Sequence, residues 1–417
     1  MVNKKAIYLL IIFGTFLFQS CGIKARIKKA DKQFELGEYY SAGEIYRSVY
    51  GRISGKDREL RSKVAFRQAE SHRLTNYSVQ AERAYLNSIK NNYADSIIFL
   101  RYAQILHRNG KYTEAAKNYA IYLQKDSSCL LAKNGLEATR IAEKLKSETT
   151  DYIVKKADIL NLRRSSTFSP AFAGSDNGML FFTSTRQFNK KVVQKNSSVT
   201  GQPVNKIFYV RKNAAGKWEK PEIIGSEVNT ITTDDGVCSF SPDGKTMFIT
   251  RAYQQLNSDT GTEIFSSTRA GGVWSEPKKI KFFADSTISV AHPAIAPDGE
   301  TIYFVSDAPK GYGGKDIWKG KLEGDVCKYI ENAGPEINTP GDEMFPTVKD
   351  QNTIYFSSNG QPGLGGLDIF KAEKQKDGTW KVSNAGVPLN SNADDFGMVF
   401  ENKVERGFFS SNRGEPR

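Results

Sequence analysis

The C-terminal three-fifths of this 417-residue chain repeats one pattern five times. The clearest copy runs from Asp342 to Ile369, where an apolar-aromatic stretch is followed by small hydroxyl residues and a glycine-rich turn. Degraded copies occupy residues 169–186, 238–251, 292–307 and 396–413. Self-similarity at such a period indicates a repeat architecture, in which each unit buries its apolar face against its neighbours.

Each copy carries the signals of an antiparallel sheet. Asp-Gly supplies the positive backbone angles of a tight hairpin, and Pro-Asp-Gly stands before the apolar-aromatic strand at 242–244 and 297–299. A third strand is predicted at 206–210, 262–265, 315–318 and 367–370. A fourth strand carries Trp in three copies, at Trp218, Trp274 and Trp380.

Four antiparallel strands per copy are typical of a β-propeller blade. Equivalent strand positions in successive copies lie about 52 to 67 residues apart, which fits blades of slightly long sequence. The longest step is assigned to a mobile polar loop at 188–205. We therefore predict an all-β propeller over 149–417, with five blades and, as the alternative, six.

The way the ring closes is predicted from a linker that enters the blades, in which Asn follows an apolar residue, as at Val228-Asn229. Leu160-Asn161 repeats this pair before the first copy, so residues 152–161 are expected to form the outer strand of the last blade. The fifth copy stops before its third strand, which predicts an incomplete last blade and a chain that is the front portion of a longer protein. Imperfect closure on this sequence alone is the alternative.

Residues 28–148 have the periodicity of helices, because apolar or small side chains return every three or four positions. A Gly-x-Tyr-x-x-Ala motif occurs at 37–42 and 110–115, and a copy at 75–81 lacks the glycine. The spacing of about 35 to 38 residues resembles three tetratricopeptide repeats (TPR), with a capping helix at 130–147. The chain is thus predicted to be multidomain, an all-α TPR solenoid followed by the propeller.

The resemblance to TPR proteins implies a concave surface that holds a partner's peptide or helix. Core packing is the other common use of a helical tyrosine. The candidates for partner contacts are Tyr40, Tyr46, Tyr85, Tyr119 and Tyr122.

Two arginines share one position after the second strand of their copies. They are candidates for binding an acidic partner group, with salt bridges between blades as the alternative. These residues are Arg186 and Arg413.

The N-terminus has the pattern of an export signal. Lys4 and Lys5 precede an apolar run at 6–18 that is short for a membrane span. The run leads into Leu-Phe-Gln-Ser-Cys-Gly at 17–22, which resembles a bacterial lipobox. By this resemblance, the signal peptide would be cleaved before a lipid-carrying Cys21, and two or three acyl chains would give lasting anchorage.

The resemblance to lipoproteins also sets expected boundaries, with a signal peptide at 1–20 and a lipidated tether at 21–27. Basic residues follow Cys21, where Bacteroidetes lipoproteins displayed on the cell surface carry an acidic tag. The absence of that tag implies, by this resemblance, that the protein faces the periplasm from the outer membrane.

The sequence contains few residues or motifs suited to catalysis or metal binding. The three histidines, His72, His107 and His292, are spread over different predicted elements, so a joint metal site is not expected. G-x-S-x-G, H-E-x-x-H, P-loop and CxxC motifs are absent from the sequence. We therefore predict no enzyme, no catalytic residue, no metal and no cofactor other than the covalent lipid on Cys21.

Acidic pairs precede three of the predicted inner strands, at 234–235, 342–343 and 394–395. Adjacent carboxylates can perform acid/base chemistry or bind Ca²⁺. Recurrence at one place in several copies favours a structural role instead, in which the side chains accept hydrogen bonds from nearby turns. Glycine pairs at 313–314 and 365–366 are likewise predicted as turns.

Cysteine content and charge restrict the partners. Cys129, Cys238 and Cys327 are predicted to be small buried thiols in separate elements. The formal charge of +13 suits an anionic partner such as lipid headgroups or an acidic polymer. A compact basic block with interleaved aromatics is absent from the sequence, so nucleic acid is not a predicted partner.

The order of lipobox, TPR and propeller resembles a family of Bacteroidetes outer-membrane lipoproteins with WD40-like propellers. Full members continue into an OmpA-like peptidoglycan-binding domain, so peptidoglycan would be a partner only through a C-terminal domain not present here. The resemblance implies a non-enzymatic scaffold or tether for envelope proteins in type IX secretion or gliding. Two alternatives are a glycan- or glycopeptide-binding accessory lipoprotein and the propeller platform of a larger hydrolase.

Overall fold

The structure is a computed structural model that describes residues 22–163, 165–174, 176–187, 196–230, 233–253, 261–401 and 404–414. The predicted signal peptide and Cys21 lie outside these residues. The chain divides into two compact units, Met1–Ile105 with Asn196–Gly201 and Arg417, and Leu106–Lys195 with Gln202–Pro416. Within the described ranges, no helix has the length and apolarity needed to cross a bilayer.

Helices make up most of the first unit. They are α1 (22–35), α2 (Tyr39–Tyr50), α3 (Arg58–Leu74), α4 (Ser78–Lys90) and most of α5 (Ile97–Arg108). Gly37 has a φ of +76° between α1 and α2, a conformation that glycine adopts without strain. Asp57 caps α3 by accepting a hydrogen bond from the Leu60 N–H at 3.1 Å. Small and aromatic side chains such as Ala42 and Tyr46 fill the interior between helices.

A segment from the predicted mobile loop also belongs to the first unit. The carbonyls of Ser198 and Val199 accept hydrogen bonds from the Ser41 and Tyr40 N–H groups, each at 3.1 Å. The first N–H groups of a helix lack partners inside the helix, and here 196–201 supplies them for α2. Residues 188–195 of the same predicted loop are outside the described part of the chain.

Two further helices, α6 (Tyr112–Leu123) and α7 (Leu130–Ser147), belong to the second unit. They pack closely at Gly135, where an added Cβ would lie 2.4 Å from Cζ of Tyr119. Both helices also bind the glycine-rich loop 360–366. The Tyr112 hydroxyl donates to the Leu364 carbonyl at 2.8 Å, and the Asn134 amide donates to the Gly360 carbonyl at 2.9 Å.

The prediction of one TPR solenoid over 28–148 is wrong. The boundary between the compact units falls inside α5, after Ile105, and α6 and α7 join the unit that contains the sheets. Periodicity reports that a helix has an apolar face, but it does not report which partner covers that face. For the last helical pair, part of the cover comes from a loop more than two hundred residues away in sequence.

Antiparallel sheets follow in the second unit, each with its strands in sequence order. The first sheet contains β1 (Thr167–Phe172), β2 (Met179–Ser184), β3 (Lys206–Arg211) and β4 (Glu222–Ile223). The second contains β5 (Thr233–Phe240), β6 (Thr246–Tyr253), β7 (Glu263–Ala270), β8 (Val273–Trp274) and β9 (Lys278–Lys279).

The third and fourth sheets have four strands each. The third contains β10 (Val290–Ile295), β11 (Thr301–Ser306), β12 (Asp316–Glu323) and β13 (Val326–Asn332). The fourth contains β14 (Glu343–Asp350), β15 (Thr353–Ser358), β16 (Asp368–Lys374) and β17 (Trp380–Asn384). A hairpin of β18 (Asp395–Phe400) and β19 (Gly407–Ser411) completes the strands that the structure describes.

The inner strands β1, β5, β10, β14 and β18 share one irregularity. Each has a register shift at a residue of positive φ, namely Ser169, Val237, His292, Phe345 and Gly397. In three of them the N–H at this bulge donates to a hydroxyl on the preceding sheet or hairpin. Acceptors are Thr183 for Val237, Thr250 for His292 and Ser410 for Ser169, at 2.8 to 2.9 Å. The bond from Ser169 to Ser410 joins the first sheet to the last hairpin, so the arrangement is propeller-like.

The prediction of five or six blades is wrong, because four sheets have the strands of a blade and the fifth copy forms only the β18–β19 hairpin. Residues 152–161 do not form the predicted outer strand. Thr149 makes an isolated parallel bridge to Val387, and Tyr152 packs against the core that contains Met398. An outer strand needs a third strand as its partner, and the hairpin offers none among the described residues.

Candidate functional site

The asparagine side chains of the repeated linkers form hydrogen bonds with the backbone of a strand, as a neighbouring strand would. The Asn338 side chain accepts the Ile317 N–H at 2.8 Å and donates to the Ile317 carbonyl at 2.9 Å. Asn229 makes the same two bonds to Ile207, both at 2.9 Å. Asn390 repeats the arrangement in the fourth sheet. Each linker is thereby fastened to the third strand of the sheet that it leaves.

The second residue of each acidic pair is fully buried at the junction between neighbouring sheets. Asp235 accepts hydrogen bonds from Arg251 at 2.7 Å and from the Thr233 hydroxyl at 2.7 Å, and Lys206 lies 3.2 Å away. Lys206 is itself completely buried, and burial lowers its pKa although the charge of Asp235 acts to raise it. This junction is a closed ionic cluster.

Glu343 occupies the equivalent place between the third and fourth sheets. Its carboxylate accepts from the Thr339 N–H at 2.8 Å, the Thr339 hydroxyl at 2.7 Å and the Ser358 hydroxyl at 2.5 Å. Burial raises the pKa of Glu343 to about 7, the hydrogen bonds act in the opposite direction, and the charge of Asp316 raises it further. Burial therefore favours the neutral form of this carboxyl up to about pH 7, and no cation is paired with it among the described residues.

A third acidic pair connects the hairpin with α5 and with the fourth sheet. Asp394 accepts the Leu367 N–H at 3.0 Å and forms an ion pair with Arg108. Asp395 accepts the Ser391 N–H at 2.7 Å and forms an ion pair with Arg413. Together the three pairs have the structural role expected from their recurrence.

The two candidate arginines for partner contacts both donate hydrogen bonds to carbonyls of the linkers. Arg186 donates to the Leu160 carbonyl at 2.5 Å, and Arg413 donates to the Pro388 carbonyl at 2.6 Å. Arg251 makes an equivalent bond to the Val228 carbonyl at 2.7 Å from a different strand position. These guanidinium groups hold linkers against inner strands.

Three of the five candidate tyrosines lie in helical interiors. Tyr46 donates to Asp31 at 2.6 Å, Tyr85 donates to Glu70, and Tyr119 packs on Gly135. All three are at most 2% exposed. Tyr40 is partly exposed next to Gly201, and Tyr122 is partly exposed on α6. The structure therefore does not gather the five rings on one surface.

The histidines are separated and are held in structural contacts. His107 lies 3.2 Å from the Gly363 carbonyl, and burial lowers its pKa to about 4. His72 lies near Gln68 in α3, and burial lowers its pKa to about 4 as well. His292 accepts the Phe345 N–H through Nδ1 at 3.3 Å, and burial lowers its pKa to about 3.

Aromatic rings gather where the inner strands begin. The rings of His292 and Phe345 stack with their centroids 4.0 Å apart, and Phe345 lies 4.5 Å from Phe396. Phe168 extends the group at 6.2 Å from Phe396. All four side chains are partly exposed.

The described residues give little indication of a reactive cysteine or of a metal site. Cys238 and Cys327 are buried in different sheets, Cys129 is partly exposed before α7, and all three are free thiols. Burial raises the pKa of Cys238 and Cys327 to about 12, which keeps both protonated. Across the described ranges, no group of three or more His, Cys, Asp or Glu side chains is placed to hold a metal ion.

One apolar groove lies on the outside of the third sheet, with a cavity volume of about 490 Å³. It is called the β13 groove here, and its main lining residues are Phe283, Ile288, Lys310, Trp318, Tyr329 and Ile330. Sequence reasoning did not single it out. The signal was present, because the third copy has Cys327 where Trp274 and Trp380 stand in its neighbours, and Trp318 where the other third strands have Phe.

The chain was compared with known proteins. No protein-family model matches it, and no curated protein does. Among solved structures it is similar to a Mycobacterium tuberculosis puromycin-hydrolysing peptidase, with 12% identity over 54% of this chain and 30% of that chain and a TM-score of 0.31. A Lactobacillus brevis α-L-arabinofuranosidase shares 12% identity over 59% of this chain and 81% of that chain, with a TM-score of 0.35.

A protein of unknown function from Dyadobacter fermentans is a third similar structure, with 13% identity over 55% of this chain and 68% of that chain and a TM-score of 0.34. The chain spans about 30% of the length of the prolyl endopeptidase and puromycin-hydrolysing peptidases that it matches. Similarity at these TM-scores is too low to support an argument about activity.

Proposed function

We propose that the chain is a non-enzymatic, lipid-anchored scaffold that faces the periplasm from the outer membrane and binds proteins of an envelope complex. The machinery implied by the family resemblance is type IX secretion or gliding. Anchorage rests on the lipobox-like run before Cys21, and binding rests on the surfaces of the sheets and helices.

The proposal rests mainly on the burial and hydrogen bonding of the junction carboxylates. These were the strongest sequence candidates for acid/base chemistry, and Asp235, Glu343 and Asp395 are each fully buried. Each is bonded to the linker or strand next to it. A general acid or base must reach a substrate proton, so carboxylates enclosed in this way serve the fold and leave binding as the role of the exposed surface.

The main rival is glycan binding at the aromatic cluster of His292, Phe345, Phe396 and Phe168. A sugar stacks on an open aromatic face. His292 and Phe345 cover one another, with an interplanar angle of 16° and 4.0 Å between centroids. Phe345 also contacts Phe396. Because the central rings are engaged with each other, protein binding is the better supported of the two functions.

The proposal is tested by anchoring and capture in the native host. The Cys21→Ala variant should leave the membrane fraction, because the acylated thiol is lost, whereas Cys129→Ala should stay in it. Mild-detergent capture of the wild-type chain should recover other outer-membrane or periplasmic proteins in fixed proportion. Recovery of a monomer without partners, or membrane retention of Cys21→Ala, would contradict the scaffold and the anchor respectively.

A further inference from the structure

The β13 groove exists because the third sheet departs from the other copies at two positions. In the first two sheets a Trp that follows the third strand packs against other aromatic rings, with Trp218, just before β4, next to Phe172 and Trp274, in β8, next to Phe181. In the third sheet the equivalent position, opposite Leu322 in the strand register, is the much smaller Cys327, and Trp318 occupies the third strand where the other sheets have Phe. The outer aromatic side chain of β13 is Tyr329, which is 76% exposed. The apolar space left on the sheet is therefore open at the surface.

The outer edge of β13 is paired over a short stretch only. Lys281 makes a parallel bridge to Val326, and its N–H and carbonyl bond to Asp325 and Cys327, each at 2.9 Å. Beyond Lys281 the described chain makes no further backbone bond to β13, and Phe283 forms a wall of the groove. Among the described residues, no other segment outside the third sheet bonds to the backbone of β13. An open strand edge is a template for an added strand.

Polar groups at the groove indicate what an added strand would carry. The indole N–H of Trp318 is buried and has no hydrogen-bond partner in the described part of the chain, and the residue is 8% exposed. Lys310 stands at the rim, and no ion pair of this side chain occurs among the described residues. The indole N–H of Trp318 and the ammonium group of Lys310 lie beside the apolar surface of the groove. The groove therefore favours an occupant with a carbonyl or carboxylate next to an apolar side chain.

Backbone strain marks the same place. Lys310 has a φ of +72° and Tyr329 has a φ of +52°, a region that residues with a side chain rarely adopt. Both side chains line the groove. Strain of this kind persists where the surrounding structure enforces it, and it is concentrated at binding sites.

We propose that the β13 groove binds an extended segment of a partner protein, which continues the parallel pairing that Lys281 begins. The segment places an aromatic or long aliphatic side chain over Trp318 and an acidic residue beside Lys310. This inference rests on the scaffold function proposed above and names the surface and chemistry by which one partner is held. A peptide strand satisfies the open backbone edge as well as the apolar surface, whereas a lipid acyl chain would fill only the latter.

The test is selection of a random peptide library on the whole mature chain. Peptides of alternating apolar and polar residues, with an acidic residue next to an aromatic or aliphatic one, should be enriched. Their affinity should fall about tenfold for Tyr329→Asn, which removes the exposed ring while suiting the positive φ. Lys310→Glu should weaken the same peptides by repelling their acidic residue. Tyr312→Asn is the matched control, since Tyr312 is 48% exposed on the same sheet and does not line the groove.

Other outcomes overturn the inference. In the first, no peptide is enriched; in the second, the enriched peptides bind all three variants equally. In the third, phosphatidylethanolamine vesicles bind in place of peptides, and their binding depends on Tyr329. Capture of envelope proteins from the native host is then repeated with Tyr329→Asn. Loss of one partner supports the groove, whereas unchanged capture of all partners rejects the groove and leaves the scaffold function standing.

Discussion

Two equivalent junctions in the ring hold a buried carboxylate by opposite means. Asp235, between the first and second sheets, has Lys206 and Arg251 as cationic partners. Glu343, between the third and fourth sheets, has hydroxyls and a backbone N–H, and its charged neighbour is Asp316. Both carboxylates have no exposed surface. The repeat places an acid at the same position of both junctions, and the neighbouring residues determine whether that acid is charged.

The physical reason is the penalty for burying an unpaired charge. A buried carboxylate is stable either beside cations or in its neutral form, because the low-dielectric interior disfavours an isolated charge. The residue that begins the third strand decides between these outcomes, since it is Lys206 at one junction and Asp316 at the other. Substitutions at the two acids should therefore have opposite effects.

The largest effect is expected for Asp235→Asn. Loss of the carboxylate leaves Lys206 and Arg251 buried without a counter-charge, and removal of one partner from such a cluster destabilises proteins by about 3–5 kcal/mol. Urea unfolding of the chain at pH 8, followed by tryptophan fluorescence, measures the change. Asp243→Asn, the same substitution at an exposed turn of the same hairpin, should leave the unfolding free energy nearly unchanged, because asparagine keeps an oxygen that accepts the Ser241 hydroxyl and the Lys245 N–H. Equal effects of the two variants would refute an ionic junction.

The second largest effect is expected for Glu343→Gln, which should raise the free energy of unfolding in a pH-dependent way. The folded pKa of Glu343 is about 7 and its ordinary value is 4.5, so between these values the folded chain keeps a proton that the unfolded chain releases. The free energy of unfolding therefore falls as pH rises through this window, by up to about 3 kcal/mol. Glutamine does not titrate; its oxygen accepts the Thr339 N–H, and its NH2 group donates to the hydroxyl oxygens that faced the carboxyl. The variant should therefore match wild type near pH 4.5 and exceed it above pH 7.

Thermal unfolding at a series of pH values checks the Glu343 prediction. Glu336→Gln, at an exposed position of the adjacent linker, should follow wild type at every pH. If Glu343→Gln destabilised the chain at pH 8, the folded chain would have to stabilise the ionised carboxylate as it does at Asp235, and the contrast between the junctions would disappear.

A smaller effect, equal at both junctions, is expected for the linker asparagines. Asn229→Ala and Asn338→Ala each leave the N–H of one buried isoleucine without its partner, which should cost about 2 kcal/mol, whereas the isoleucine carbonyl keeps the bond from the Ile224 or Ala333 N–H. Asn161→Ala is the matched control, because Asn161 is exposed and its side chain bonds only to the nearby Ala157 carbonyl among its described contacts. Unequal losses for Asn229 and Asn338, measured by urea unfolding, would mean that the charge state of a junction also governs its linker.

Local features of the fold were predictable from the sequence. The Pro-Asp-Gly turns form as expected, with Gly244 and Gly299 at φ of +69° and +75°. Trp380 lies in a fourth strand, and the third strands begin close to the predicted positions. Turn chemistry and alternating hydrophobicity act over a few neighbouring residues, so they can be recognised without knowledge of the rest of the chain.

Features that depend on distant partners were not predictable. The helical pattern around Tyr112 and Tyr119 suggested one solenoid, yet α6 and α7 join the unit of sheets. Residues 152–161 were expected to complete the last blade as its outer strand, yet they form no strand and the β18–β19 hairpin stays two-stranded. Arg186 and Arg413 share a position that suited partner binding, and linker carbonyls use their donors instead. In each case the sequence pattern is compatible with several partners.

Residue order alone was sufficient to establish the repeat, the helical and strand segments and the recurring acidic pairs, since each is encoded within a short stretch. The folded arrangement was needed to decide which acids are paired, which helices join the sheets and where a groove stays open. The bond between Arg108 and Asp394 joins residues separated by 286 positions. Burial and charge pairing are properties of the assembled neighbourhood, so Asp235 and Glu343 share one place in the repeat and differ in their chemistry.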